Sequence, residues 1–387
     1  MQQFTALPPL SLYIHIPWCV RKCPYCDFNS HEAKQALPER EYIRALLDDL
    51  EQQLPQFWGR SIHTIFIGGG TPSLFGVESL AQLLSELRAR LNFAPDIEIT
   101  LEANPGTAEQ EKFSGFREAG INRLSIGVQS FNDQHLQKLG RIHSAREAIK
   151  AIEMAHKAGF EQLNIDLMYA LPGQSVGQAM GDIQCALALA PTHLSHYQLT
   201  IEPNTYFYHH PPLTPDDDHI VDIEEACREQ LASAGFERYE ISAYARESQQ
   251  CAHNLNYWLF GDYLGIGAGA HGKRSDAHAQ QIVRNRQHKN PRDYLSTQDK
   301  TAGRDIPDAR TSQFEFMLNA LRLTEGFDTE LFLQRTGTPI AQIETQLQQA
   351  EQKGLIEWGL KRIAPTPLGL QYLNDLTSLF LPDDDAV

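Results

Sequence analysis

The feature that most constrains the fold of this chain is an alternation. Six short apolar or β-branched runs, at 12–16, 64–67, 98–102, 123–128, 162–167 and 194–200, are each followed by a segment with apolar residues at three- and four-residue spacing. Those helical segments are 39–54, 77–91, 108–119, 145–158, 176–188 and 217–234. Three of them close on Ala119-Gly120, Ala158-Gly159 and Ala234-Gly235, and a glycine there suits the left-handed cap that stops a helix before the next strand. Strands joined by helical crossovers run parallel, since the right-handed crossover returns the chain to the same end of the sheet. The pattern predicts an α/β fold with a parallel sheet curled into a partial (β/α)6 TIM-type barrel.

In such a barrel the ends of all the strands share one rim, where ligand sites form. The chemistry-bearing residues of this chain stand just after the predicted strands. Strand one leads to Cys19, Cys23 and Cys26, strand two to Gly68-Gly69-Gly70-Thr71-Pro72, and strand three to Glu102-Ala103-Asn104-Pro105. Strand four leads to Gln129-Ser130-Phe131, strand five to Asp166 and Leu171-Pro172-Gly173, and strand six to Glu202-Pro203-Asn204. Unrelated polar motifs therefore converge on one place.

After residue 236 the rhythm stops, and three regions follow from the pattern: a partial barrel over 1–236, a barrel extension over 237–309, and a C-terminal α+β domain over 310–387. The extension holds a strand-like run at 239–244, a glycine-rich stretch at 261–272 and a basic segment in which Lys273, Arg274, Arg284, Arg286, Lys289 and Arg292 face one acid, Asp276. Its bland reading is a solvated basic hairpin. Gly267-Ala268-Gly269-Ala270-His271-Gly272 satisfies the dinucleotide-binding glycine pattern, but no strand–turn–helix unit is expected around it. The tail reads as helices at 313–323, 328–335 and 339–353, a strand pair at 355–364 and a helix at 368–379, a winged-helix-like order. Its third helix carries Glu344 and Glu351 against Lys353, which favours packing or protein contact over a DNA groove.

A formal net charge of −16 argues against general binding to nucleic acid, where Lys and Arg must neutralise phosphates. No run of some 18 uncharged apolar residues is present, and residues 1–9 lack the basic start and apolar core of a secretory signal, so a cytoplasmic location is expected. Three of the six cysteines lie within eight residues while Cys185, Cys227 and Cys251 are isolated, a poor disulfide framework but a good ligand cluster. Three thiolates on one loop suit a [4Fe–4S] cubane with one iron left open, whereas a structural zinc normally takes four ligands. Zinc stays open on spacing alone, with His31 as a fourth ligand.

Cys19-x3-Cys23-x2-Cys26, followed by Gly-Gly-Gly-Thr-Pro after strand two, resembles the radical S-adenosylmethionine superfamily. That resemblance implies S-adenosylmethionine chelated to the open iron and reductive cleavage of its sulfonium bond to a 5′-deoxyadenosyl radical. The chain is similar, over nearly its whole length, to the oxygen-independent coproporphyrinogen III oxidase group through Tyr13-Ile14-His15-Ile16-Pro17-Trp18-Cys19, Gly127-Val128-Gln129-Ser130-Phe131 and the run from Asp166 to Gly173. By that resemblance Tyr13, Tyr25, Gly69, Gly70, Thr71, Glu102, Gln129, Arg141 and Asp166 contact S-adenosylmethionine.

Two departures separate it from the oxidase. Phe28 stands where the oxidase has a fourth cysteine, and only about ten residues precede the first strand. In their place, His253-Asn254-Leu255-Asn256-Tyr257-Trp258 and Cys26-Asp27-Phe28-Asn29-Ser30 resemble the HemW-type heme chaperones. This implies a protein that binds heme and delivers it to apo-hemoproteins of the respiratory chain, with a homodimer and a peripheral contact at the inner face of the membrane compatible with it. His253 is the expected heme ligand, with Tyr257 and Trp258 packing on the macrocycle, Cys251 and His271 as weaker ligand candidates, and the basic segment from Lys273 onward meeting the propionates. The alternative is a coproporphyrinogen III oxidase. A zinc-dependent winged-helix regulator fits the tail but not the rim.

Overall fold

The computed structural model describes residues 2–106 and 110–382. Strands β1 (Leu10–Ile16), β2 (Ser61–Gly69), β3 (Asn92–Ala103), β4 (Arg123–Gln129), β5 (Gln162–Tyr169) and β6 (His193–Gln198) lie side by side in chain order and pair in parallel. The expected crossover helices are α1 (Glu39–Gln53), α2 (Val77–Arg90), α3 (Phe113–Ala119), α5 (Ala145–Lys157), α6 (Val176–Ala188) and α8 (Asp217–Ser233). Two short rim helices, α4 (Asp133–Lys138) and α7 (Tyr206–His209), are additions. The start expected for the third helix at position 108 lies outside the described residues.

Strands such as β1 and β5 are buried almost without a break because both of their faces are covered, which is why they read as continuous apolar runs. Leu12, Ile65, Leu101, Ile126 and Ile165 share one core with the helix residues Leu83, Phe116, Ile152 and Ile183. Local signals fix the helix ends. Ser144 and Ser175 form capping boxes with Glu147 and Gln178, and Gly120, Gly159 and Gly235 take positive φ of 106°, 83° and 79°.

The parallel series is longer than the sequence pattern predicts. The run at 239–244 divides into β7 (Glu237–Glu240) and β8 (Ala243–Ala245), which extend the sheet antiparallel beyond β6. The chain then forms α9 (Ala252–Trp258), and β9 (Asp262–Ile266) pairs parallel with β1 as a seventh parallel strand. Strands β10 (His271–Asp276), β11 (Gln281–Gln287) and β12 (Thr301–Asp305) follow antiparallel, with helix α10 (Pro291–Ser296) between the last two. The twelve-stranded order is β12-β11-β10-β9-β1-β2-β3-β4-β5-β6-β8-β7, and the two end strands do not pair with each other, an open barrel in which the outer edge of β7 carries an isolated bridge, Glu240 to Leu323. Glycines hid β9 in the sequence. A Cβ on Gly265 would lie 1.9 Å from the His271 carbonyl oxygen, so the glycine permits β9 and β10 to cross closely. Residues 267–270 connect them, and no helix follows in dinucleotide-site fashion.

The tail contains α11 (Ala309–Ala320), β13 (Phe327–Asp328), α12 (Thr329–Thr336), α13 (Glu344–Gln352), β14 (Ile356–Trp358), β15 (Arg362–Pro365), α14 (Pro367–Gln371) and α15 (Leu373–Ser378). Its three strands form an antiparallel sheet in the order β13-β15-β14. The expected helix at 339–353 opens as a 3-10 turn at Ile340–Ile343, and the one at 368–379 breaks at Tyr372. Phe316, Phe327, Phe332, Leu347, Ile363 and Leu376 make a separate core, which Phe4, Phe260 and Ile282 join from the rest of the chain.

Candidate functional site

The loop after β1 carries the three cysteines and is tied to the neighbouring turn through backbone. Gly70 N–H donates to the Ile16 carbonyl at 2.8 Å and Thr71 N–H to the Trp18 carbonyl at 2.7 Å. A Cβ on Gly70 would sit 2.5 Å from the Trp18 oxygen, and Gly69 holds φ at 120°. The glycine turn thus lets β2 press its backbone against the cysteine loop. The loop's return is fixed by His31 N–H to Pro17 O at 2.7 Å and Ala33 N–H to Cys19 O at 2.8 Å.

Cys19, Cys23 and Cys26 are half-buried free thiols. Burial pushes the Cys19 and Cys26 thiols up, while hydrogen bonds involving Thr71 and Ser30 pull Cys19 back and bonds from the Phe28 backbone and Ser30 pull Cys26 back. Arg141 Nη1 lies 3.6 Å from Cys23 Sγ, a cation ready for a thiolate. Among the described residues no three His, Cys, Asp or Glu side chains converge on a single-ion position. His31 Nε2 instead lies 3.3 Å from Asn29 Oδ1. A single zinc needs that convergence. A cubane, which holds each thiolate on a different iron, does not.

A cavity of about 700 Å³ opens beside the cysteines, within the range of small-molecule sites. Besides Cys19, Cys23 and Cys26 it is lined by Tyr25, Gly69, Gly70, Thr71, Glu102, Gln129, Arg141 and Asp166. Of the residues expected at S-adenosylmethionine, Tyr13 alone is elsewhere: it lines a second cavity and its hydroxyl bonds His15 Nδ1 at 2.9 Å. Arg141 Nη2 donates at 2.6 Å to both Asn104 Oδ1 and Gly127 O. Its Nε is buried with no acceptor, and no carboxylate lies within ion-pair distance among the described residues. Glu102 accepts from Gly69 N–H at 3.0 Å; burial first, then the nearby Asp166, pushes its carboxyl up to about 8. Burial raises Asp166 too, against hydrogen bonds from Ser195, Asn164 and Ser125. Gln129 takes φ of 70° at the end of β4, and Tyr197 donates to its Oε1 at 2.7 Å. Asn104 stands in the motif after strand three but is not singled out as a contact by the sequence, and Tyr197, near the end of β6, is not marked by it at all.

The second cavity, of about 740 Å³, adjoins the first, and Cys26, Asp27, Phe28, Ser30, Gly69 and Glu102 line both. Tyr257 and Trp258 are among the residues that line it. His253 is not. It is fully buried, with Nδ1 2.8 Å from Thr64 Oγ1, Nε2 3.0 Å from Tyr257 Oη, and its ring packed on Phe66. Burial drives its pKa down to about 3, so it is a neutral core histidine with both nitrogens engaged. His253 and Tyr257, four apart on α9, share one helix face and touch, with Tyr257 lying between the buried imidazole and the cavity. Cys251 is likewise buried. The basic segment also differs from a solvated hairpin. Lys273 is buried against Asp262, Arg274 pairs with Asp276, Arg284 with Glu315 and Arg286 with Asp305.

Comparison with known proteins agrees with this geometry. Residues 13–184 match the Radical SAM superfamily and residues 308–372 the HemN C-terminal domain. The heme chaperone HemW of Haemophilus influenzae is 48% identical, covering 98% of this chain and 99% of its own. The chain belongs to the HemW heme chaperone family. The HemW protein of Escherichia coli is also 48% identical, covering 97% of this chain and 99% of its own, and that of Bacillus subtilis is 39% identical over 68% and 70%. Among solved structures, coproporphyrinogen III oxidase of Escherichia coli superposes with a TM-score of 0.81 at 22% identity, covering 97% of this chain and 90% of that one. That likeness shows that this chain shares the fold of the oxidase. Among the described residues of this HemW family member no helix is long and apolar enough to cross a membrane.

Proposed function

We propose that this chain is a heme chaperone that holds a [4Fe–4S] cluster on Cys19, Cys23 and Cys26, binds S-adenosylmethionine in the adjacent cavity, and passes heme from the second cavity to apo-hemoproteins of the respiratory chain. The observation that carries this reading is the pair of adjoining cavities, one built around the cysteines and one walled by Tyr257 and Trp258, sharing Cys26, Asp27, Phe28 and Ser30. The donor set fits the cofactors. Arg141 offers a buried charge and an unused N–H to an anionic group, and Glu102 and Asp166 offer acceptors to an ammonium and to hydroxyls. When bound, S-adenosylmethionine supplies a sulfonium bond that the reduced cluster can cleave. The chain's own part is to orient it between Arg141 and the carboxylates and to hold the cysteine loop against the glycine turn. Delivery to respiratory recipients from the cytosol would involve a peripheral contact at the inner face of the membrane.

The reading is tested with anaerobically reconstituted protein. It should bind hemin in a stable stoichiometric complex and yield no decarboxylated product from coproporphyrinogen III with reductant and S-adenosylmethionine. Product without stable hemin binding would overturn the assignment in favour of the oxidase.

Glu102 gives a further expected result. Its carboxyl is raised in the folded protein, so its contribution to stability is fully present below the ordinary carboxyl value and lost as pH rises toward about 8. Glu102→Gln should therefore melt higher than the wild type at pH 8.5, with little difference at pH 5, by about 2–4 °C for each kcal/mol relieved. The same variant should bind S-adenosylmethionine about 10–100-fold more weakly, the worth of a hydrogen bond to a charged group. Thermal unfolding at the two pH values and equilibrium dialysis check both.

A further inference from the structure

Three histidines line the second cavity: His15, His31 and His271. His15 uses both ring nitrogens, Nδ1 on Tyr13 Oη and Nε2 on Asn29 O, each at 2.9 Å. His31 bonds Asn29 Oδ1 through Nε2. His271, at the start of β10, is exposed and forms no side-chain hydrogen bond or ion pair among the described residues. Its backbone is fixed from two sides. The Gly265 crossing presses on its carbonyl, and Asn29 Nδ2 holds the preceding turn by donating to Ala268 O at 2.8 Å and to Lys289 O at 2.9 Å. With neither ring nitrogen engaged by a side chain or backbone group among the described residues, the imidazole has a nitrogen available to a metal.

The cationic groups of the same cavity divide in two. Lys273 and Arg284 are held by Asp262 and Glu315. Lys289 and Lys22 have no carboxylate partner among the described residues, and Lys22 Nζ only touches the Phe28 carbonyl at 3.2 Å. These are the groups left to meet an anion.

Building on the heme-chaperone reading, we infer that His271, and not His253, ligates the iron of the bound heme, with Lys289 and Lys22 receiving the propionates and Tyr257 and Trp258 flanking the macrocycle. The ligand is thereby placed on a turn that Asn29 staples to the cysteine loop.

The test titrates ferric protoporphyrin IX into reconstituted full-length wild type, His271→Ala, His253→Gln and Lys289→Glu, following the Soret band and electron paramagnetic resonance. His271→Ala should weaken binding by at least about tenfold and lose the histidine-ligated signature, and added imidazole should restore that signature. His253→Gln, whose amide can replace the bonds to Thr64 and Tyr257, should keep it. Lys289→Glu should weaken binding without changing the spectrum. Circular dichroism and iron content confirm that each variant is folded and loaded. If His271→Ala keeps wild-type affinity and signature, the ligand assignment is wrong while the chaperone reading stands. Loss of the signature in His253→Gln but not in His271→Ala would return the role to His253. A wild type that binds no hemin would overturn both.

Discussion

Replacing Cys19, Cys23 and Cys26 together by alanine should abolish the cluster, with iron and acid-labile sulfide falling from about four of each per chain to background and the broad charge-transfer absorption disappearing. Each single replacement should have nearly the same effect, because three thiolates already leave one iron without a protein ligand. The fold should survive. The cysteines are half-buried, form no disulfide, and the loop is held by backbone bonds from Gly70, Thr71, His31 and Ala33 that an alanine leaves in place. An unchanged melting profile with no cluster is the expected combination, read by calorimetry and metal analysis on the same samples. Zinc in place of iron in the anaerobically purified wild type would sink the cluster assignment.

The second large effect concerns Asp262, at the head of the seventh parallel strand. Its Oδ1 accepts from Ser275 N–H and Oγ, both at 2.9 Å, and pairs with Lys273 Nζ at 3.2 Å; Oδ2 pairs with Arg60 at 2.8 Å. Burial pushes this carboxyl up, but Lys273 and Arg60 together hold it below its ordinary value. Burial also pushes Lys273 down to about 8, so the pair itself is near balance. Breaking it is different, since the buried ammonium then has no carboxylate. Asp262→Ala should cost about 3–5 kcal/mol. Adding Lys273→Met should recover a large part of that loss, a coupling that a double-mutant cycle in urea measures. The pH behaviour follows from the same bonds. Asp262 lends stability above the ordinary aspartate range, and that stability is lost as pH falls through its depressed folded value. In Asp262→Ala Lys273 loses the carboxylate that holds its pKa up at about 8 and sheds its proton at lower pH, so this part of the defect should shrink as pH rises toward 8.

Much of this was legible in the sequence. The six strand ends and the glycine caps follow from periodicity and punctuation, both local properties of the chain. The rim rule gathers Cys19, Gly69, Glu102, Gln129 and Asp166 from the sequence alone, and the structure brings them into one cavity. What failed was long-range. Strand β9 was hidden because Gly265 reads as a breaker unless one knows that His271 crosses it. Which of two adjoining cavities Tyr13 lines was likewise not legible, since that depends on how β1 sits against its neighbours. His253 carried the motif most suggestive of heme, but on α9 it points inward to Thr64 and Phe66. The basic segment read as one charged face, while the acids that neutralise it, Asp262, Glu315 and Asp305, lie up to 31 positions away.

The sequence by itself determined the alternating architecture, the three-cysteine loop and the placing of polar motifs at strand ends, because each depends on neighbours along the chain. Tertiary structure alone decided which histidine stays free and which lysines stay unpaired. Those choices depend on burial and on partners far apart in sequence, and burial is set only when the strands have found their order.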